Sequence, residues 1–222
     1  MKIGVLGTGV VGQTIGSKLV QLGHEVMLGS REAANPKAVA WANKENLNKD
    51  STQKRALFGT FANAAVFGDI LFNCTLGTAS LGALRMAGSA NLKGKILIDT
   101  ANPIDYSKSA WTFTIVNTDS LGEQIQREFP ETFVVKSLNT VNCEVMVNPG
   151  QLSEGTSIFV SGDSAYAKSK VTAALREWFG WYSIIDLGDI TTARGVEMYV
   201  ALWRCLRLAT DSHQFNIKVV GL

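Results

Sequence analysis

Apolar residues in this chain recur in two rhythms that alternate along most of its length. The run 2–7 reads as a short buried strand, whereas 10–22 sets Val11, Ile15, Leu19 and Leu22 at the spacing of one helix face. Gly23 stops that helix, and 24–29 predicts a second strand ending just before Ser30 and Arg31. Further along, the pattern predicts a helix over 36–48, a polar loop, a short strand at 57–59 and a buried strand at 69–74. A helix over 81–90 follows, with strands at 95–99 and 133–136 on either side of a long loop that carries Trp111 and Phe113. Strands at 157–160 and 183–187, joined by a helix over 165–179, extend the alternation almost to residue 190. Such alternation specifies an α/β fold with a doubly wound, mainly parallel sheet.

From residue 191 the pattern changes. One long helix carries Val196, Tyr199, Leu202, Trp203 and Leu206 on a broad apolar face, and an extended tail occupies 216–222. The expected plan is a sheet domain over 1–190 and a small C-terminal helical segment over 191–222. That segment covers a cleft or packs on a second subunit, and its apolar face over 196–208 predicts a homodimer.

Composition narrows the possible partners. The 222 residues include 21 Lys and Arg against 19 Asp and Glu, scattered rather than gathered into a stripe, so nucleic acid is not an expected partner. Cys74, Cys143 and Cys205 are odd in number and far apart, which suggests neither a disulfide framework nor a metal-ligand spacing. No apolar run approaches the roughly 18 residues of a membrane span. The chain opens on its first strand with no charged-then-apolar leader, and the expectation is a cytoplasmic protein.

The first chemistry lies between the first strand and helix. Gly7-Thr8-Gly9-Val10-Val11-Gly12 fits G-x-G-x-x-G: the first glycine allows a tight turn, the second close approach to a pyrophosphate, the third close helix packing. The helix N-terminus then offers backbone N–H groups to the diphosphate. Strand, glycine turn, helix and second strand together give a Rossmann-like dinucleotide unit. An NAD site usually has Asp or Glu at the end of the second strand, whereas this chain has Gly29-Ser30-Arg31. A guanidinium and a hydroxyl suit the 2′-phosphate of NADP(H), with Thr8 and Lys37 near enough in sequence to contribute. The plainer alternative is a solvated Arg31 with Glu32 serving the ribose.

In a parallel sheet the ligand lies beyond the carboxyl ends of the strands, which points to three loops: Thr75-Leu76-Gly77-Thr78, Thr100-Ala101-Asn102-Pro103 and Ser137-Leu138-Asn139-Thr140. Thr75, Leu76, Gly77, Asn102, Pro103, Ser137 and Asn139 are candidates for the nicotinamide end. Asn139, Thr140 and Asn102 are candidates for positioning an acceptor, and Leu76 and Leu138 for supporting a ring. Turn chemistry explains the same asparagines equally well. No acid–base pair declares itself. His24 lies at the far end of its strand, His213 near the end of the last helix, and Cys143 reads more plainly as a small apolar side chain than as a nucleophile. Hydride transfer to a flavin-like ring relies mainly on positioning and tolerates this lack.

The residues 2–31 with their Gly-His-Glu-Val and Gly-Ser-Arg pieces, together with 98–103, 135–140, 186–189, Arg194-Gly195 and Glu197-Met198, resemble the NADPH-dependent reductases related to coenzyme F-420:NADP oxidoreductase. The resemblance runs nearly the whole chain, and the NADPH-binding part of the eukaryotic transmembrane metalloreductases looks like the same module. It implies a Rossmann domain with a small helical C-terminal part, a homodimer, and hydride transfer between NADP(H) and a deazaflavin. It also implies 2′-phosphate contacts from Thr8, Ser30 and Arg31, and places 137–140 beside the nicotinamide. Asn139 stands where archaeal members tend to have histidine. The expected activity is NADPH-dependent reduction of a deazaflavin- or flavin-like acceptor, with quinones and metal chelates also open. The alternatives are reduction of a small carbonyl or imine, and a non-enzymatic NADP(H) sensor closed by Trp111 or Phe113.

Overall fold

The computed structural model of the chain describes residues 1–47, 55–107 and 111–221. Residue 48, expected to end a helix, and the polar loop after it lie outside the described residues. Strand β1 (Lys2–Leu6) is buried at four of its five positions and leads through the glycine turn into helix α1 (Val10–Gln21). Strand β2 (Glu25–Ser30), helix α2 (Pro36–Leu47) and strand β3 (Ala56–Thr60) complete the first half of the sheet. Helix α3 (Phe61–Phe67) then carries the chain back across, to strand β4 (Ile70–Asn73). Helices α4 (Gly77–Ala87) and α5 (Ser89–Leu92) precede strand β5 (Ile96–Asp99).

The sequence between residues 99 and 133 reads as one long loop, and the structure corrects this. It holds a small antiparallel hairpin, β6 (Ile104–Asp105) with β7 (Thr112–Phe113), and helix α6 (Leu121–Glu128). Helix α6 is short, but Ser120 caps it by accepting a hydrogen bond from the Glu123 backbone N–H, a contact of about 1 kcal/mol. The helix expected over 81–90 begins four residues earlier and breaks at Gly88, so Gly77 and Thr78 belong to its first turn rather than to a loop.

Strand β8 (Phe133–Ser137), helix α7 (Cys143–Val147), strand β9 (Ser157–Ser161), helix α8 (Ala165–Ala174), strand β10 (Ser183–Gly188) and helix α9 (Ala193–Thr210) complete the chain. The helix expected over 165–179 is α8 followed by one π-helical turn, Leu175–Phe179. The eight-stranded sheet has the order β10-β9-β8-β5-β4-β1-β2-β3, parallel throughout except between β8 and β9. This is the Rossmann-like doubly wound fold, with two apolar layers. Ile15, Leu19, Trp41, Val145 and Val171 pack on one face of the sheet, and Phe61, Leu84, Leu92 and Ile125 on the other.

Because β2 and β3 lie on one side of β1 and β4, β5 and β8 on the other, the connections diverge at the carboxyl ends of β1 and β4 and leave a crevice there. Helix α9 docks beside it through Ala193, Val196, Glu197 and Val200, while Met198, Leu202 and Leu208 stay exposed. The tail does not form a strand, but it is fastened to the start of β9. Ile217 O accepts from the Ser157 N–H, and the Asn216 amide donates to Thr156 Oγ1 and Ser157 O.

Candidate functional site

The crevice is a cleft of about 980 Å³ that begins at the glycine turn. Gly7 has φ +126°, and a Cβ there would lie 2.5 Å from Cys74 O, so the turn closes against the end of β4 only with glycine. At Gly12 a Cβ would meet Gly7 O at 2.4 Å, which explains why this position contributes to packing and does not itself line the cleft. Gly9 differs: a Cβ there would meet nothing within 4 Å, and the residue borders the cleft. Helix α1 has no side-chain cap and no acidic residue in its first turn, so the N–H groups of that turn are left to an anion. A backbone cradle that admits no side chains at Gly7 and Gly12, open at Gly9, fits a dinucleotide diphosphate.

Arg31, directly after β2, and Lys37, in the first turn of α2, are exposed, line the cleft, and take part in no ion pair among the described residues. Two cations without carboxylates leave their charge available to a ligand. Ser30, in contrast, is buried and outside the cleft lining. Its hydroxyl donates to Glu32 O and accepts from the Glu32 N–H, so it shapes the turn that presents Arg31. Glu32 does not line the cleft.

Of the remaining sequence candidates, Thr8, Val10, Val11, Thr75, Leu76, Gly77, Asn102, Asn139 and Thr140 are brought together in the lining, whereas Pro103 and Ser137 are not. Ser137 is buried and donates to Phe159 O across the sheet. Leu138 is fully buried at φ +65° in the core layer beneath, which removes it as a ring support. Asn102 and Asn139 are largely spent on each other. Asn139 Nδ2 donates to Asn102 Oδ1 (2.9 Å) and to Val196 O (3.1 Å), and Asn102 Nδ2 donates to Asn139 O (2.9 Å). The hydroxyl of Thr140, 2% exposed, has no hydrogen-bond partner among the described residues.

Beneath this floor lies a charged cluster that the sequence pattern does not reveal. Lys136 Nζ, fully buried, is 2.5 Å from Asp99 Oδ2 and 2.7 Å from Glu197 Oε1, and donates to Ala101 O at 2.7 Å. Burial alone would lower the pKa of Lys136, but the two carboxylates outweigh it and raise the pKa above lysine's ordinary value. Glu197 also accepts from the backbone N–H groups of Leu121 and Gly122 at the start of α6.

The far part of the lining is apolar and aromatic: Met86, Tyr106, Trp111, Met146, Val200 and Trp203. Trp111 stacks on Trp203 with ring centroids 6.4 Å apart at 12°, Phe215 from the tail stacks on the same Trp203 at 5.5 Å and 24°, and Tyr106 meets Trp111 edge-on at 5.4 Å. Arg204 lies over the Trp111 ring at 4.9 Å. Nothing in the sequence pattern singles out Tyr106 within the stretch between β5 and β8. Phe113 is absent from the lining. Cys74 lines the cleft with its thiol pushed up to about 12 by burial. Cys143 lines it half-buried, and all three cysteines are free. His24 packs edge-on against Trp178 away from the cleft, its pKa lowered by burial. His213 is also outside the lining. Among the described residues there is no cluster suited to a metal ion, and no helix is long and apolar enough to cross a membrane.

A cleft of this build at the switch point of this sheet defines a dinucleotide-binding α/β protein. Residues 2–103 match the family model described as NADP oxidoreductase, coenzyme F420-dependent. The fold of an Arthrobacter sp. FB24 protein assigned as an F420-dependent NADP-reductase superposes over all of both chains with a TM-score of 0.90 and 44% identity. The F420-dependent NADP reductase of Methanothermobacter marburgensis is 28% identical over 100% of this chain and 99% of its own. Metalloreductase STEAP3 of Rattus norvegicus is 27% identical over 88% of this chain, which spans only 36% of that longer protein. The chain belongs to the coenzyme F420-dependent NADP oxidoreductase family, and it is an NADP-dependent oxidoreductase with NADP(H) as its cofactor.

Proposed function

We propose that the protein transfers a hydride between NADP(H) and a planar deazaflavin- or flavin-like acceptor. The observation that carries this reading is the cleft itself, which runs from the glycine turn to an apolar wall of Met86, Tyr106, Trp111, Met146, Val200 and Trp203 and, at about 980 Å³, has room for a planar ring beside a dinucleotide. NADPH supplies the hydride. The backbone of Gly7, Thr8, Gly9, Val10 and Val11 receives the diphosphate, and Arg31 and Lys37 receive the 2′-phosphate, on the turn held by Ser30. Thr75, Leu76, Gly77 and Asn102 border the nicotinamide end, with Pro103 and Ser137 supporting from behind. Asn102 and Asn139 fix each other, and the unpartnered Thr140 hydroxyl and Trp203 indole N–H are polar groups of the lining left to orient a ring. Excluding water and holding two flat rings face to face supplies most of the catalysis in such a step.

A second reading rests on Tyr106. Its phenol lines the cleft and burial raises its pKa, so it stays protonated as a donor, which reduction of a carbonyl or imine requires. Stopped-flow oxidation of bound NADPH with a deazaflavin, flavins, a quinone, a ferric chelate, a ketone and a cyclic imine separates the readings. Rapid turnover with a deazaflavin or flavin is the expected result. Turnover confined to the ketone or imine supports the Tyr106 reading, and tight NADPH binding with no turnover supports a sensor.

In this reading 1–190 forms the dinucleotide-binding unit and 191–222 supplies the outer wall. The exposed Met198, Leu202 and Leu208 on α9 suit a homodimer, and light scattering at micromolar concentration is expected to give twice the chain mass; a monomer would contradict it. Three free thiols suit a reducing, cytoplasmic setting.

A further inference from the structure

We propose that Lys136 is a positioning residue for the nicotinamide half of the cleft: one buried ammonium fixes the floor loops after β4, β5 and β8 relative to the helix that forms the far wall. The inference rests on reading the cleft as the NADP(H) site. A continuous set of polar contacts carries it. Thr75 donates to Asn73 Oδ1 through both its backbone N–H and its hydroxyl (2.7 Å), and Asn73 Nδ2 donates to Asp99 Oδ1 at 2.8 Å. Asp99 Oδ1 also accepts from the Ala101 N–H, while Oδ2 faces Lys136. From Lys136 the contacts run to Ala101 O in the second loop and to Glu197 on α9. Lys136 itself is the residue before Ser137, where the third loop begins, and that loop's Asn139 is tied to Val196 O, next to Glu197.

The ammonium has three N–H bonds and three partners, and they come from β5, from the loop after it, and from α9. Glu197 spends its remaining capacity on the Leu121 and Gly122 N–H groups. Val200 and Trp203, one and two turns beyond Glu197, line the cleft. A shift in the Glu197 anchor therefore moves the aromatic wall and the Asn102–Asn139 floor against each other. By contrast, among the described residues no side-chain hydrogen bond or ion pair joins the adenylate end, at β2 and α2, directly to this set of contacts. The strand order places β1 between the two.

A solely structural ion cluster would, when disturbed, weaken every part of the ligand alike. A positioning cluster weakens the nicotinamide half alone. The test compares 2′,5′-ADP, which lacks the nicotinamide half, with NADP+, by titration calorimetry on the full chain carrying Lys136→Met or Glu197→Gln. Glu197→Gln keeps the size of the side chain but places an amide N–H₂ against donors, and it keeps the test decisive if Lys136→Met fails to fold. The expected result is 2′,5′-ADP affinity within threefold of wild type, with the extra affinity of NADP+ over 2′,5′-ADP reduced at least tenfold. Hydride transfer to the acceptor that serves the wild type is expected to slow at least tenfold at saturating NADPH. A folded Glu197→Gln protein with unchanged preference for NADP+, or with both ligands weakened equally, overturns the proposal. Wild-type protein that binds neither ligand refutes the cleft assignment instead, and one that binds both but reduces no acceptor refutes only the proposed reaction.

Discussion

Replacing Arg31 with Ala is expected to weaken NADPH binding by tenfold or more and to leave NADH binding within about twofold. The reasoning starts from charge. Arg31 and Lys37 are exposed at the lip of the cleft, and neither has a carboxylate partner among the described residues, so neither is already neutralised. Hydrogen bonds to a charged group contribute about 1.5–3 kcal/mol, and about 1.4 kcal/mol is a factor of ten in affinity. NADH has no 2′-phosphate and loses none of this. Arg31→Lys keeps the charge but not the planar fork and should fall between the two. Because the group is exposed, the difference should shrink as salt is raised. Fluorescence titration of both reduced dinucleotides reads the result, and equal losses for NADPH and NADH would sink the assignment.

Gly9→Val is expected to abolish measurable NADPH binding, a loss of at least a hundredfold, in a protein that remains folded. Gly9 sits at φ −76° and ψ −178°, extended backbone open to any residue, and a Cβ there has nothing within 4 Å. The cost to the fold is that of a poorer N-cap, about 1 kcal/mol, or about 2–4 °C in Tm for a chain of this size. The open space is where a diphosphate must approach the α1 N-terminus, and two methyl groups would occupy it. Gly12→Val is the contrasting case. Its side chain would run into Gly7 O, and such overpacking costs about 1–3 kcal/mol or more, so folding suffers before binding can be assayed. Thermal melts alongside titrations distinguish the two glycines. Normal NADPH binding by Gly9→Val would mean that the glycine turn does not hold the diphosphate.

The parts of this molecule most legible in the sequence are those where local pattern and local chemistry coincide. Strands β1, β4 and β5 are buried on every side but their ends, so their apolar runs stand out. The glycine turn is legible because Gly7 and Gly12 are forced by backbone contacts within a few residues or one neighbouring strand. Helices α3 and α6 escape the apolar pattern although both carry a local signal. Thr60 with Asn63, and Ser120 with Glu123, form capping pairs, but each helix is too short to show a helical apolar period. The aromatic wall was half legible. Trp203 read as a helix-face residue and Trp111 as a possible closing residue, but their stacking joins positions more than ninety residues apart. The Lys136, Asp99 and Glu197 cluster was illegible for the same reason. Its local traces are single charges set in buried strands, Lys136 in β8 and Asp99 in β5. For Asn102 and Asn139 the sequence leaves ligand positioning and turn chemistry equally open, because nothing in it says that they bond each other.

A hydride that passes within this cleft from NADPH directly to a planar acceptor can be followed by isotope. A single-turnover reaction of wild-type protein with NADPH deuterated at the transferring position and a deazaflavin, whose accepting carbon retains what it receives, reads the transfer. Quantitative recovery of deuterium at that carbon, in ordinary water, is the predicted result. NADPH that stays unoxidised in the presence of the deazaflavin, or a reduced deazaflavin carrying solvent hydrogen instead of the label, would contradict it.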